Sequence, residues 1–246
     1  MSDRALSVLV HGDSKVGKTT FTTTAPAPRL LLDVESASRF LKVKKVYWRP
    51  QDGEAPPAYD GTWDTCVVQV HDFETALKAY EWLKSGKHPF KSVILDSISE
   101  LQAKAQESVN GRAQMQTQHW GQLLTKIAFF CRDLRDLTTH SSNPLEAVVI
   151  TAMSREVDGV KKPFLQGQVA SQVPYWFDVT SYLFVDQAPD EKTGQPVMVR
   201  KLLTTKHPQF EAGNRVPGLP EIIVAPNINS MLESVFGPHE SAAPAK

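Results

Sequence analysis

Gly12, Gly17, Lys18 and Thr19 stand at the fixed positions of G-x-x-x-x-G-K-[ST] in the octet Gly12-Asp13-Ser14-Lys15-Val16-Gly17-Lys18-Thr19. That spacing can hold a polyphosphate. The glycines let backbone N–H groups close around phosphate oxygens, Lys18 meets the β- and γ-phosphates, and the Thr19 hydroxyl ligates magnesium. A helix starting at Thr19-Thr20 adds a favourable dipole. The expected ligand is a nucleoside triphosphate with Mg2+, held by residues 12 to 20.

Three further groups could complete the chemistry. Asp96 ends the apolar run Val93-Ile94-Leu95, where a strand-tip carboxylate reaches magnesium directly or through water, although an aspartate there can also simply cap the next helix. Ser97 can orient a water beside it. Glu35 closes the apolar run from Arg29 to Val34 and is the candidate general base for attack of water on the γ-phosphate. Its rivals are Asp33, which alternation directs to the other face, and Glu100, one helical turn past Asp96. A solvated strand-end carboxylate is the plain alternative for Glu35. Thr151 can sense the γ-phosphate or be an ordinary strand threonine. Arg155, Lys161 and Lys162, followed by Gln166, Gln168 and Gln172, read as a mobile basic, glutamine-rich loop able to contact phosphates, or else as a solvated charged face.

The elements that must position these groups alternate along the chain. Ala5 to His11 is a short buried-strand pattern followed by a glycine-bearing loop and a helix start. Arg29 to Val34, Lys91 to Asp96 and Leu145 to Ala152 are further strands. Asp52 to Gly61 holds two prolines and two glycines and reads as a surface excursion. Asp72 caps a helix to Lys84, Ser97 starts one that stops at Asn110-Gly111, and a long helix runs from about His119 to Leu137. Past residue 153, Asp158-Gly159 marks one hairpin, and Val179 to Asp186 with Val197 to Thr205 flank a second turn at Lys192-Thr193-Gly194. The expected fold is therefore α/β: a mostly parallel central sheet flanked by helices, with antiparallel strands added near the C-terminus. Residues 1–236 are expected to form one domain and 237–246 a disordered tail.

Composition bounds the partners. Lys plus Arg and Asp plus Glu both total 27 in 246 residues, so any nucleic-acid surface must be a local patch. Cys66 and Cys131 lack metal-ligand spacing and read as reduced, buried thiols. No apolar run approaches the roughly 20 residues of a membrane span, and no basic-then-apolar leader opens the chain, so the expectation is a cytoplasmic protein without a membrane partner.

Taken in order, HGDSKVGKTT, LLLDVES, VILDSISEL and VVITAMSRE with a polar loop behind it resemble the RecA-like core of recombinases. The chain looks in particular like the small phage-encoded AAA-type nucleotide-binding proteins that include the RecA-like, Sak-type single-strand annealing proteins. The resemblance spans about residues 5 to 225. It implies an ATPase, stimulated by DNA, that uses ATP and Mg2+, with Glu35 as catalytic base ahead of Glu100. It places two DNA-binding loops at about 110–119 and 154–172, which gives Arg112, Arg155, Lys161 and Lys162 a DNA role. It also puts a basic residue, Arg215 ahead of Lys206, at the neighbouring subunit's nucleotide. The implied partners are single-stranded DNA, further copies in a ring or filament, and a single-strand-binding protein, in a bacterial host cell. A different class remains open: a nucleotide-gated interaction module with slow or no hydrolysis. No separate N-terminal polymerisation domain precedes Ala5, and Gly213-Asn214 stand before Arg215 where a lysine is expected in phage relatives. A small-molecule kinase fits poorly for want of an arginine-rich lid. A partitioning ATPase fits poorly because Asp13, not lysine, follows Gly12.

Overall fold

The computed structural model describes residues 4–190 and 194–238. Its strands are β1 (Leu6–Gly12), β2 (Arg29–Asp33), β3 (Lys45–Tyr47), β4 (Thr65–Gln69), β5 (Ser92–Asp96), β6 (Ala147–Val157), β7 (Val160–Pro163), β8 (Val179–Pro189), β9 (Pro196–Leu203), β10 (Gly213–Asn214) and β11 (Ile222–Val224). Its α-helices are α1 (Lys18–Thr22), α2 (Phe73–Lys84), α3 (Ile98–Asn110), α4 (Thr117–Asp136), α5 (Val169–Gln172) and α6 (Ile228–Phe236).

The central sheet runs β11-β9-β8-β1-β6-β5-β2-β4-β3. From β8 to β3 every neighbouring pair is parallel, and β9, β10 and β11 join antiparallel. Period-two alternation sorts the apolar side chains of the buried strands into two layers. Leu9, Leu30, Leu32, Leu95 and Ile150 face a core shared with α2, α3 and α4. Val8, Val10, Leu31, Ile94 and Val149 face the other way, toward Phe21 of α1 and Ile228, Met231 and Leu232 of α6. With both faces covered, the loops at the carboxyl ends of the parallel strands become the natural ligand edge. This is the expected α/β sheet of a P-loop nucleotide-binding protein.

Several expectations are revised. β3 and β4 extend the sheet beyond β2, where the sequence reading had no strand between Val34 and Asp72; β4 is only five residues and buried along most of its length, too short for a diagnostic period. α4 starts at Thr117, so the first of the two expected loops shrinks to residues 111–116. The glutamine-rich stretch is no open loop: Leu165, Val169 and Val173 are fully buried, and Gln102 of α3 exchanges hydrogen bonds with the backbone of Gln166. Its apolar residues anchor it on α3 and α4. Of the second expected turn, Lys192 and Thr193 lie outside the described residues, as do residues 239–246 of the expected tail. Both cysteines are buried and free.

Candidate functional site

Gly12 ends β1 against the neighbouring strand: a Cβ there would lie 2.5 Å from the Leu183 carbonyl oxygen of β8. The loop then turns through left-handed backbone at Lys15 and Gly17, and at Gly17 a Cβ would also collide with the Arg200 guanidinium. Arg200 reaches over from β9, its Nε donating to the Val16 carbonyl at 3.1 Å. Inside the loop, Lys18 Nζ donates to the carbonyls of Gly12 and Asp13, both at 2.9 Å. Burial pulls its ammonium below the ordinary lysine value, against the carboxylates of Glu35, Asp96 and Asp13.

The strand order brings the remaining groups to this loop. β6 lies between β1 and β5, so Asp96 stands two strands away, a gap that side chains bridge. The Thr19 hydroxyl donates to Asp96 Oδ2 at 2.6 Å. The Thr151 hydroxyl donates to Asp96 Oδ1 at 2.5 Å from the intervening strand. Thr151 is fully buried and bound to the carboxylate. Of the two roles open to Thr151, the structure shows it holding the Asp96 carboxylate from the intervening strand. Asp96 is itself buried, which pushes its carboxyl up, opposed by the two threonine hydrogen bonds.

Glu35 arrives by backbone register. Val34 N donates to Asp96 O at 2.8 Å, continuing the β2–β5 ladder by one residue, so Glu35 emerges at the tip beside Asp96. The rival Asp33 is buried and accepts from the N–H groups of Ala37 and Ser38 and from Gln69 Nε2 at 3.0–3.1 Å. It fixes the turn after Glu35, as alternation anticipated for the opposite face. Ser97 Oγ donates to Glu35 Oε1, which directs that carboxylate instead of a water, and it also caps α3. Glu100 is in the first turn of α3, away from the cleft lining. The result is a cleft of about 440 Å3 lined by Lys18, Thr19, Glu35, Phe40, Asp96 and Ser154. Beside it a second cavity of about 550 Å3 opens among Lys15, Thr20, Met198, Arg200 and Asn227.

A protein-family model described as an AAA domain matches residues 4–216. The chain belongs to the AAA domain family. No curated protein matches the sequence. Membership gives this AAA domain nucleotide binding and hydrolysis as its family-level activity and agrees with the P-loop and sheet order above.

The other residues singled out in the sequence are dispersed across this AAA domain. Arg112 is exposed in the 111–116 loop. Arg155 lies on β6 with its guanidinium over the Phe164 ring at 5.6 Å. Lys161 and Lys162 are neighbours on β7, so their side chains leave on opposite faces. Lys161 meets Asp13 of the P-loop, Nζ to Oδ2 at 2.5 Å, apart from Lys162. Arg215 lies at the opposite end of the sheet from its own P-loop: Nη2 donates to Phe177 O at 2.8 Å and Nε lies 3.5 Å from Asp178 Oδ1. Lys206 lines the same hollow. Sequence reasoning missed Arg200, since nothing in a strand pattern links residue 200 to residue 16.

Among the described residues no helix is long and apolar enough to cross a membrane.

Proposed function

We propose that this chain is an ATPase serving phage DNA recombination or single-strand annealing, binding single-stranded DNA as a ring or filament of like subunits in a bacterial cytoplasm. The convergence of Lys18, Thr19, Asp96 and Glu35 on one cleft carries the nucleotide part. Lys18 exchanges the carbonyls of Gly12 and Asp13 for β- and γ-phosphate oxygens, a trade of neutral acceptors for charged ones. The Thr19 hydroxyl and Asp96 carboxylate are hard oxygen donors in mutual contact, and Glu35 and Asp33 add negative charge around Asp96, a setting suited to a divalent cation. When bound, magnesium neutralises charge on the phosphate oxygens. Glu35, aimed by Ser97, takes a proton from water as its oxygen attacks the γ-phosphorus and the bond to the bridging oxygen breaks, leaving ADP and phosphate. The 550 Å3 cavity beside Thr20 and Arg200 takes the nucleoside.

Arg215 serves a neighbour's nucleotide in this reading, because its own lies at the far end of the strands. Arg112, Arg155 and Lys162 supply the DNA contacts. Hydrolysis measured with and without single-stranded DNA at two salt concentrations tests the polymer partner. Stimulation and binding that weaken with salt are expected; the absence of both removes the DNA assignment.

One observation favours a second reading, a nucleotide-gated interaction module with slow hydrolysis. Arg215 is engaged by Phe177 and Asp178 of its own subunit, so an isolated chain has no second-subunit arginine at its phosphates. Turnover that stays slow at every protein concentration, with DNA present, decides for it.

A further inference from the structure

Lys161 has a setting that a DNA-contacting lysine does not need. Its ammonium crosses from β7 to the P-loop, 2.5 Å from Asp13 Oδ2, and the Tyr182 hydroxyl donates to the same oxygen at 3.2 Å. Its backbone is clamped on both sides: Lys161 N donates to Gln209 O and Glu211 N donates to Lys161 O, each at 2.8 Å. The clamp is tied in turn to the P-loop strand. His11 Nε2 donates to Glu211 O at 2.7 Å, which leaves Nδ1 to accept from the Ser154 hydroxyl at 2.8 Å. β1, β6, β7 and the 209–211 segment thus hold one cation against one P-loop residue.

Asp13 is the first variable residue of that loop. Lys18, the ammonium that would meet the β- and γ-phosphates, already rests on the Asp13 carbonyl, so Asp13 is adjacent to the terminal-phosphate position. The nucleoside-sized cavity opens instead beside Lys15, Val16 and Thr20. A carboxylate next to a terminal phosphate would repel it unless a cation stood between them. Lys161 is the group in place to do so. The Asp13 hydrogen bond also raises the Lys161 ammonium above its ordinary value and keeps it charged.

We propose that Lys161 is a triphosphate-sensing residue: with a nucleoside triphosphate bound, its ammonium is shared between Asp13 and the terminal phosphate, so the β6–β7 hairpin reports whether that phosphate is present. This rests on the cleft being a nucleotide site. Arg155 and Lys162 pair across the same hairpin, which gives nucleotide state a direct mechanical route to them.

The test is the affinity of the full chain with Mg2+ for ADP and for a non-hydrolysable ATP analogue, in wild type, Lys161→Gln, Lys161→Arg and Asp13→Asn/Lys161→Gln. Losing one charge-assisted contact should weaken the triphosphate about tenfold in Lys161→Gln and ADP less than about threefold. Lys161→Arg should recover most of the loss, and the double variant should stay weak for the triphosphate. Equal weakening of both ligands, or none, overturns the proposal. Recovery in the double variant overturns it too, because Lys161 would then act only by neutralising Asp13. A wild type that binds neither ligand overturns the nucleotide reading itself; a wild type that binds both while Lys161→Gln keeps its triphosphate preference overturns this inference alone.

Discussion

The two ends of the central strands use the same residue types to different effect. At the amino ends of β1 and β8, Asp178 accepts from Ser7 N at 2.9 Å and Ser7 Oγ at 2.7 Å, returns a bond from its own N–H to Ser7 Oγ, and lies beside Arg215. This is a closed ring of mutual partners. At the carboxyl ends, Lys18 rests on two backbone carbonyls, Glu35 is exposed beside Ser97, and Asp13 meets a lysine from a distant hairpin. In the proposed function each of these bonds is exchanged for a phosphate oxygen or a cation. An aspartate among N–H donors is scaffold; one among displaceable partners, at the edge of a cleft, is a site.

That contrast breaks if substitutions at the two ends have similar consequences. The largest effect is expected from Lys18→Ala, which should weaken ATP binding by on the order of 1,000-fold through loss of a desolvated cation, with the unfolding midpoint little changed. Next comes His11, which joins the P-loop strand to Ser154 and Glu211. Burial pushes it down to about 4, so between 6.5 and 4 the unfolded chain binds the proton that the folded chain refuses. Stability should therefore fall as pH drops through that window, by about 3 kcal/mol in all, and His11→Gln should flatten the dependence in urea titrations at several pH values. At the amino end, Asp178→Ala leaves the Ser7 donors unpaired and should cost about 2 kcal/mol while ATP affinity stays at the wild-type level. Arg215→Ala should cost less than about 1 kcal/mol, because its ion pair is half exposed, yet lower turnover in concentrated protein. A normal turnover in that variant removes Arg215 from the neighbour's site.

How much of this was legible depended on distance along the chain. The P-loop is complete within eight residues, and Asp96 and Glu35 each sit at the end of a strand whose apolar run announces it. Their meeting at one cleft is readable because strand ends share one edge in a parallel sheet. The contact of Thr151 with Asp96 was not legible because the two are 55 residues apart, and only the order of strands shows that β6 lies between β1 and β5. Lys161 meets Asp13 across 148 residues and Arg200 meets Val16 across 184, contacts that no local spacing encodes. The glutamine-rich segment looked open because polar side chains dominate it; Leu165, Val169 and Val173 at its turns decide its burial.

The central claim is that a cleft built by β1, β2 and β5 hydrolyses ATP with Glu35 as base. Glu35→Gln keeps the size of the side chain and removes only the ability to accept the proton. Turnover should fall by about 100- to 1,000-fold while affinity for ATP stays within about threefold of wild type. Undiminished turnover in Glu35→Gln would contradict the account.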